Sequence, residues 1–279
     1  MKNKFFGNIA LAAIIGFSMA ACGTGGDNGN GNSDENLIFN EDFNGSTLDS
    51  TKWAVCPNWD RQGGSTWMDD MVSVSGGYLH LKFKRDATLG KGPNWIRAGA
   101  IRTRSKDWSK ILFENTFGYY EAKIKFPVVD GTWGAFWLMS PTQGSIGNGG
   151  VDGTEIDIVE TIGNTQGKYN AALHWDGYPS QNVGSNNLPN QPVNIYDGEF
   201  HIFGLEWKQD EYIFYVDDVE FWRVDGGSSF KNCGINQTPN YIKLTVEASL
   251  DGWAGSLPAE FTEDEMLVDY VRVYKQKPE

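Results

Sequence analysis

The sequence predicts an all-β fold, two antiparallel sheets stacked face to face, and three observations predict it. Helical periodicity is nearly absent from the 279 residues. Short alternating or aromatic-rich segments recur instead, each bounded by Gly, Pro, Asn or Asp, as strands joined by turns are. No helical stretch lies between successive segments, which argues against crossover units and for a sandwich.

Taken in order, the chain opens with Lys2 and Lys4 and the apolar run Ile9 to Ala21. That run is too short to span a bilayer and has the proportions of a secretory leader. It stops at Met19-Ala20-Ala21-Cys22, which resembles the lipobox of bacterial lipoproteins. Residues 1–21 are therefore expected to be removed and Cys22 to carry lipid, giving an exported protein anchored at the outer membrane. Gly23 to Asn36 follows, a tether of small and polar residues that cannot bury a core.

Residues 37–279 form the expected single domain. Its strands are predicted at Met71–Val74, Tyr78–Phe83, Gly118–Phe126, Phe136–Met139, Glu155–Glu160 and Ala171–Trp175. Further strands are predicted at His201–Trp207, Tyr212–Val216, Val219–Val224, Tyr241–Ala248 and Leu267–Tyr274, with Asp217-Asp218 as a hairpin tip. Neither a second linker nor an internal repeat divides them.

The formal charge of −13 disfavours nucleic acid and anionic surfaces as partners. It also opposes a heavily anionic polymer unless the binding surface is locally basic. Once Cys22 is assigned to lipid, Cys56 and Cys233 remain. Their spacing leaves a disulfide and two free thiols equally open. Eleven Trp, eleven Tyr and sixteen Phe exceed what a core alone needs, and flat aromatic side chains suit the apolar faces of sugar rings.

The chemistry lies in Gly153-Thr154-Glu155-Ile156-Asp157-Ile158-Val159-Glu160-Thr161. Alternation puts Glu155 and Asp157 on one face of a strand and Ile156 and Ile158 on the other. Strict alternation would then drive Glu160 into the apolar side, at high cost for an unpaired carboxylate. A one-residue bulge near Ile158-Val159 returns Glu160 to the face of the other two acids. Two carboxyls about 5–5.5 Å apart are the equipment of a retaining glycosidase, one as nucleophile and one as acid/base. Like charges so close raise at least one pKa and keep a proton available.

Glu155-Ile156-Asp157-Ile158-Val159-Glu160 resembles the bulged signature of glycoside hydrolase family 16, the laminarinase, lichenase and agarase group. Phe117–Lys125, Gly131–Met139 and Leu267–Tyr274 resemble the family's flanking segments in order and spacing. The resemblance implies a curved, concanavalin-like β-jelly-roll sandwich with an open cleft, cutting a polysaccharide internally with retention. It implies Glu155 as nucleophile, Asp157 as assisting acid and Glu160 as general acid/base. Trp133, Trp137, His174 and Trp253 are expected to touch substrate, with Trp108 and Arg102 also lining the cleft. A structural calcium is implied at the Asp269 side chain with the carbonyls of Asp42 and Gly77, and no cofactor for catalysis. The expected substrate is a β-1,3- or mixed-linkage β-1,3-1,4-glucan. The alternative is a galactose-containing polymer such as agar, porphyran, carrageenan or a mucin glycan. A transglycosylase and a sugar-binding lectin are weaker readings, since a lectin has no use for three intact acids. The protein is expected to be a monomer.

Overall fold

The computed structural model describes residues 33–279 apart from 62, 163–166, 178–181, 186–190, 227–232 and 249–253. The expected leader, Cys22 and most of the tether lie outside the described residues, as do Trp253 and parts of the connections 163–169 and 176–197. One helical turn, Ser33–Asn36, precedes the first strand, Leu37–Glu41.

The described strands form two sheets. One has seven strands, in the spatial order Asn182–Ser185, Tyr169–Trp175, Thr154–Thr161, Thr132–Met139, Tyr241–Ala248, Ala100–Arg102 and Ala54–Val55. The other has eleven, with Gly118–Lys125, Glu263–Tyr274 and Tyr78–Arg85 near its middle. Pairing among the described strands is antiparallel except for Ser65–Trp67 beside Ile96–Ala98. The all-β sandwich expected from the sequence is the fold observed. His201–Trp207 and Tyr241–Ala248 appear at the expected bounds. Strands such as Ala54–Val55, Ser65–Trp67 and Ala100–Arg102 were not expected, because two or three residues are too few to display a period.

Alternation divides each strand of the seven-stranded sheet between core and outer face. Phe136, Leu138, Ile156, Leu173, Ile242 and Leu244 turn inward and are fully buried. From the opposing sheet, Leu79, Leu81, Ile124, Val268 and Val271 complete the core. Burying this apolar area is the main favourable term in folding, roughly 25 cal/mol for each Å² removed from water. Gly134 belongs to that packing. A Cβ there would lie 2.7 Å from the Phe126 ring, so only glycine lets the aromatic seat against the strand.

The tip Asp217-Asp218 closes the predicted hairpin with φ of 47° and 62°, the left-handed values a two-residue turn requires. Asp217 is also tied to the strand beside it. His201 Nδ1 lies 2.7 Å from Asp217 Oδ2, and Nε2 lies 3.0 Å from Asp197 Oδ1. Burial alone would lower the pKa of His201, but its hydrogen bonds to Asp217 and Asp197 raise it. The pair's contribution is therefore full below the unfolded histidine pKa of about 6.5 and fades as pH rises through the folded value. His201→Gln is expected to cost about 1–2 kcal/mol at pH 6 and less at pH 9, read by urea unfolding. An equal cost at both pH values would rule out a charged clasp.

Cys56 and Cys233 are both buried free thiols, which decides the alternative left open by their spacing.

Candidate active site

The strand Thr154–Thr161 carries the three acids on the outer face of the seven-stranded sheet. Asp157 pairs with Trp137 and Val159 with Phe136, so Ile158 is an extra residue on that side. On the other side, Asp157 pairs with Ala172 and Glu160 with Asn170, leaving Ile158 and Val159 opposite Ala171 alone. This is the bulge expected from the conflict between Glu160 and strict alternation. Ile156, Ile158 and Val159 are all fully buried in the core, and the local kink lets Glu160 face outward.

Glu155, Asp157 and Glu160 are 8%, 4% and 7% exposed, so they meet solvent only at the floor of a groove. Trp133 Nε1 donates to Glu160 Oε1 at 3.0 Å, and Asn170 Nδ2 donates to Oε2 at 3.5 Å. Burial, reinforced by the neighbouring Asp157 charge, pushes Glu160 up to about 8. A carboxyl that keeps its proton at neutral pH can protonate a departing oxygen.

His174 is the direct cross-strand neighbour of Glu155. Its Nε2 lies 3.2 Å from Asp157 Oδ2 and 3.9 Å from Glu155 Oε1. Burial opposes its charge, yet the Asp157 hydrogen bond and the carboxylates around it lift its pKa to about 9. An imidazolium thus stands between the two acids at the Glu155 end, while the Glu160 end stays protonated. The two ends of the row thus have different neighbours, an imidazole beside Glu155 and an indole N–H on Glu160, which suits separate roles for a nucleophile and an acid. Glu155, Asp157 and His174 also hold ligand atoms within 4.8 Å of one another, a spacing a metal ion could bridge.

Of the other expected contacts, Trp133 and Trp137 both face the groove from the strand Thr132–Met139. Trp133 is half-buried and oriented by Glu160. Trp137 is 7% exposed, and its Nε1 donates to Thr245 Oγ1 at 3.1 Å. Trp108 is exposed at the rim, in the left-handed region at φ 67°. Arg102 is fully buried beneath it, its guanidinium carbon 3.9 Å from the centre of the Trp108 ring. Its Nε and Nη2 donate to the carbonyls of Arg104, Ser105 and Lys106. The place of Arg102 is therefore to hold the turn that presents Trp108.

Of the expected calcium ligands, Asp269 was expected through its side chain, which is paired within the chain, and Asp42 and Gly77 through their backbone carbonyls. Lys123 Nζ lies 2.7 Å from Asp269 Oδ2, and Arg272 Nη2 lies 3.0 Å from Asp42 Oδ1. A calcium ion at Asp269 would compete with the Lys123 ammonium for that carboxylate.

Sequence reasoning missed three groove residues: Lys243, Thr245 and Trp59. Lys243 pairs with Trp137, and Trp137 with Asp157, so all three share one face. The only signal in the sequence was a lysine at an outward position of Tyr241–Ala248, and alternation cannot tell which outward face carries a groove. Trp59 is exposed and stacks on Trp108, with centroids 5.8 Å apart.

A family model described as "Beta-porphyranase A-D, GH16 domain" matches residues 35–276. Over 87% of the chain, identity is 28% to glucan endo-1,3-beta-glucosidase A1 of Niallia circulans. It is 30%, again over 87% of the chain, to keratan-sulfate endo-1,4-beta-galactosidase of Sphingobacterium multivorum. The chain spans only 38% and 56% of those relatives' own lengths. The fold also matches the catalytic domain of an endo-1,3-beta-glucanase (laminarinase) from Thermotoga petrophila. That match has a TM-score of 0.68 and 24% identity, covering 87% of this chain and 98% of that one.

Proposed function

The chain belongs to glycoside hydrolase family 16, and from that membership and the row of acids we propose that it is a retaining endo-β-glycosidase cleaving a polysaccharide. The observation that carries this reading is the bulge, which sets Glu155, Asp157 and Glu160 along one groove, with His174 beside Glu155 and a raised pKa at Glu160.

In the first step, the Glu155 carboxylate attacks the anomeric carbon as the glycosidic C–O bond breaks. The Glu160 proton passes to the departing oxygen, leaving a glycosyl ester on Glu155. In the second, Glu160, now ionised, takes a proton from water, whose oxygen attacks the same carbon and releases Glu155. Asp157, held by His174, is the assisting acid beside the nucleophile.

The leading substrate is a β-1,3- or mixed-linkage β-glucan, supported by the glucanase relative over most of this chain. The family model and the galactosidase relative favour a second reading, a β-galactoside-containing polymer. A digest of laminarin, mixed-linkage glucan, agarose, porphyran, carrageenan and mucin glycans tests both, with the Glu155→Gln protein as blank. Oligosaccharides from glucans alone establish the first, and products from galactans or mucin alone establish the second. No product from any polymer would sink the hydrolase reading.

We also propose export as a lipoprotein through Cys22, on the strength of Lys2, Lys4, the apolar run and the small residues before the cysteine. Cys22→Ser is expected to move the protein from the membrane to the soluble fraction and to abolish palmitate labelling. Membrane retention of that variant would overturn the anchor.

A further inference from the structure

Lys243 poses a problem that the acids do not solve. It is 3% exposed on the groove side of Tyr241–Ala248, two strands from Asp157, or about 10 Å by strand spacing. Its ammonium lies 3.6 Å from the centre of the Trp137 ring and 4.8 Å from that of Trp67. Among the described residues it forms no hydrogen bond or ion pair, although an ammonium carries three donors and no acceptor. Burial, helped by the Arg61 charge, pushes its pKa down to about 8 even though Glu155 and Glu247 oppose the fall.

The surroundings supply a counter-charge only in part. The nearby carboxylate Glu247 is 3% exposed and committed to Arg61, whose Nε lies 2.8 Å from Oε1. The Arg61 guanidinium itself sits 4.3 Å from the centre of the Trp67 ring. Two cations thus share one carboxylate, in a chain whose overall charge is −13. Cation–π contacts soften this but do not replace the lost hydration of an ammonium. A lysine serving only to pack would be better replaced by an apolar side chain.

We propose that Lys243, backed by Arg61, is an anion-accepting subsite of the cleft that takes a sulfate or carboxylate substituent on a sugar ring lying over Trp137. The inference rests on the glycan-cleaving reading and deepens it, since it names a substituent rather than a backbone. Trp137 and Trp59 supply the apolar faces, and the ammonium, packed on the fully buried Trp67, supplies the charge. A polymer repelled by the protein as a whole would be accepted at this point, because a partner ion in a low-dielectric slot is screened far less than charges at the surface.

The test is binding by the full chain carrying Glu155→Gln, so that no turnover intervenes. Laminari- and agaro-oligosaccharides are offered in three forms: unmodified, O-sulfated, and oxidised at C6 to the uronate. On at least one backbone, an anionic form is expected to bind about tenfold or more tightly than the neutral form. The sulfated and oxidised arms tell which anion is preferred. Adding Lys243→Met should bring the two affinities within about twofold, while Lys243→Arg preserves the gap. Thermal unfolding of Lys243→Met should show a fold at least as stable as the parent, which separates lost binding from lost structure. A neutral preference on both backbones, or an anionic preference that survives Lys243→Met, would overturn the subsite. Cleavage of a neutral polymer with no gain from either anion would sink the subsite alone. Failure both to bind and to cleave any polymer would remove the glycan reading and the subsite together.

Discussion

Glu155→Gln is expected to lower kcat by about 10⁴-fold or more while leaving the thermal midpoint close to that of the parent. Gln keeps the shape of the side chain but cannot form the glycosyl ester. The loss should therefore appear in the chemical step, with substrate binding retained. The two measurements belong together. A variant that loses activity and stability in parallel would say only that the strand was disturbed, because Glu155 is nearly buried and sits directly beside His174. Near-parental turnover by Glu155→Gln would end the proposal that this residue is the nucleophile.

Glu160→Gln is expected to cost about 10²–10⁴-fold with a natural polysaccharide, the usual range for a lost general acid. The loss should shrink for an aryl glycoside whose leaving group departs without a proton. The pH profile gives a sharper test. Glu160 must be protonated to act, and burial with the adjacent Asp157 charge raises it to about 8. The parental kcat/KM should therefore fall as pH rises through about 8, and that limb should vanish in Glu160→Gln. The parent's stability should fall with rising pH as well. A carboxyl raised in the fold favours the folded state below its unfolded pKa of about 4.3, and that contribution is lost as pH rises through the folded value. Gln carries no such penalty, so the variant should be more stable than the parent above pH 8. A basic limb unchanged in Glu160→Gln would assign the acid elsewhere.

Both predictions rest on a feature already legible in the chain. Glu155, Asp157 and Glu160 cannot share a face unless the strand slips by one residue, and burying a lone carboxylate is too costly for the unslipped arrangement. The conflict itself located the bulge at Ile158-Val159, where the pairing register shifts. Alternation sends His174 and Trp175 to opposite faces but does not say which of them meets the acids. Trp175 is buried in the core and His174 is half-buried beside the acids.

Lys243 was not legible. Nothing local distinguishes it from a solvated lysine on a strand, and its burial comes from Trp137 and Trp67, more than a hundred residues earlier in the chain. Arg102 shows the reverse case. It was expected in the cleft, yet three loop carbonyls hold its guanidinium under Trp108. The Lys123 pair with Asp269 was hidden in the same way, since the ammonium lies on another strand.

The sequence by itself determined the all-β class, the faces of its long strands, the bulge and the three acids. These are local properties, set by the two-residue period of a strand and by the cost of burying charge without a partner. Only the tertiary structure decided which distant segments lie side by side. Pairing register brought Asp157, Trp137, Lys243 and Arg102 into one row across four strands, and register depends on contacts between residues far apart in the chain.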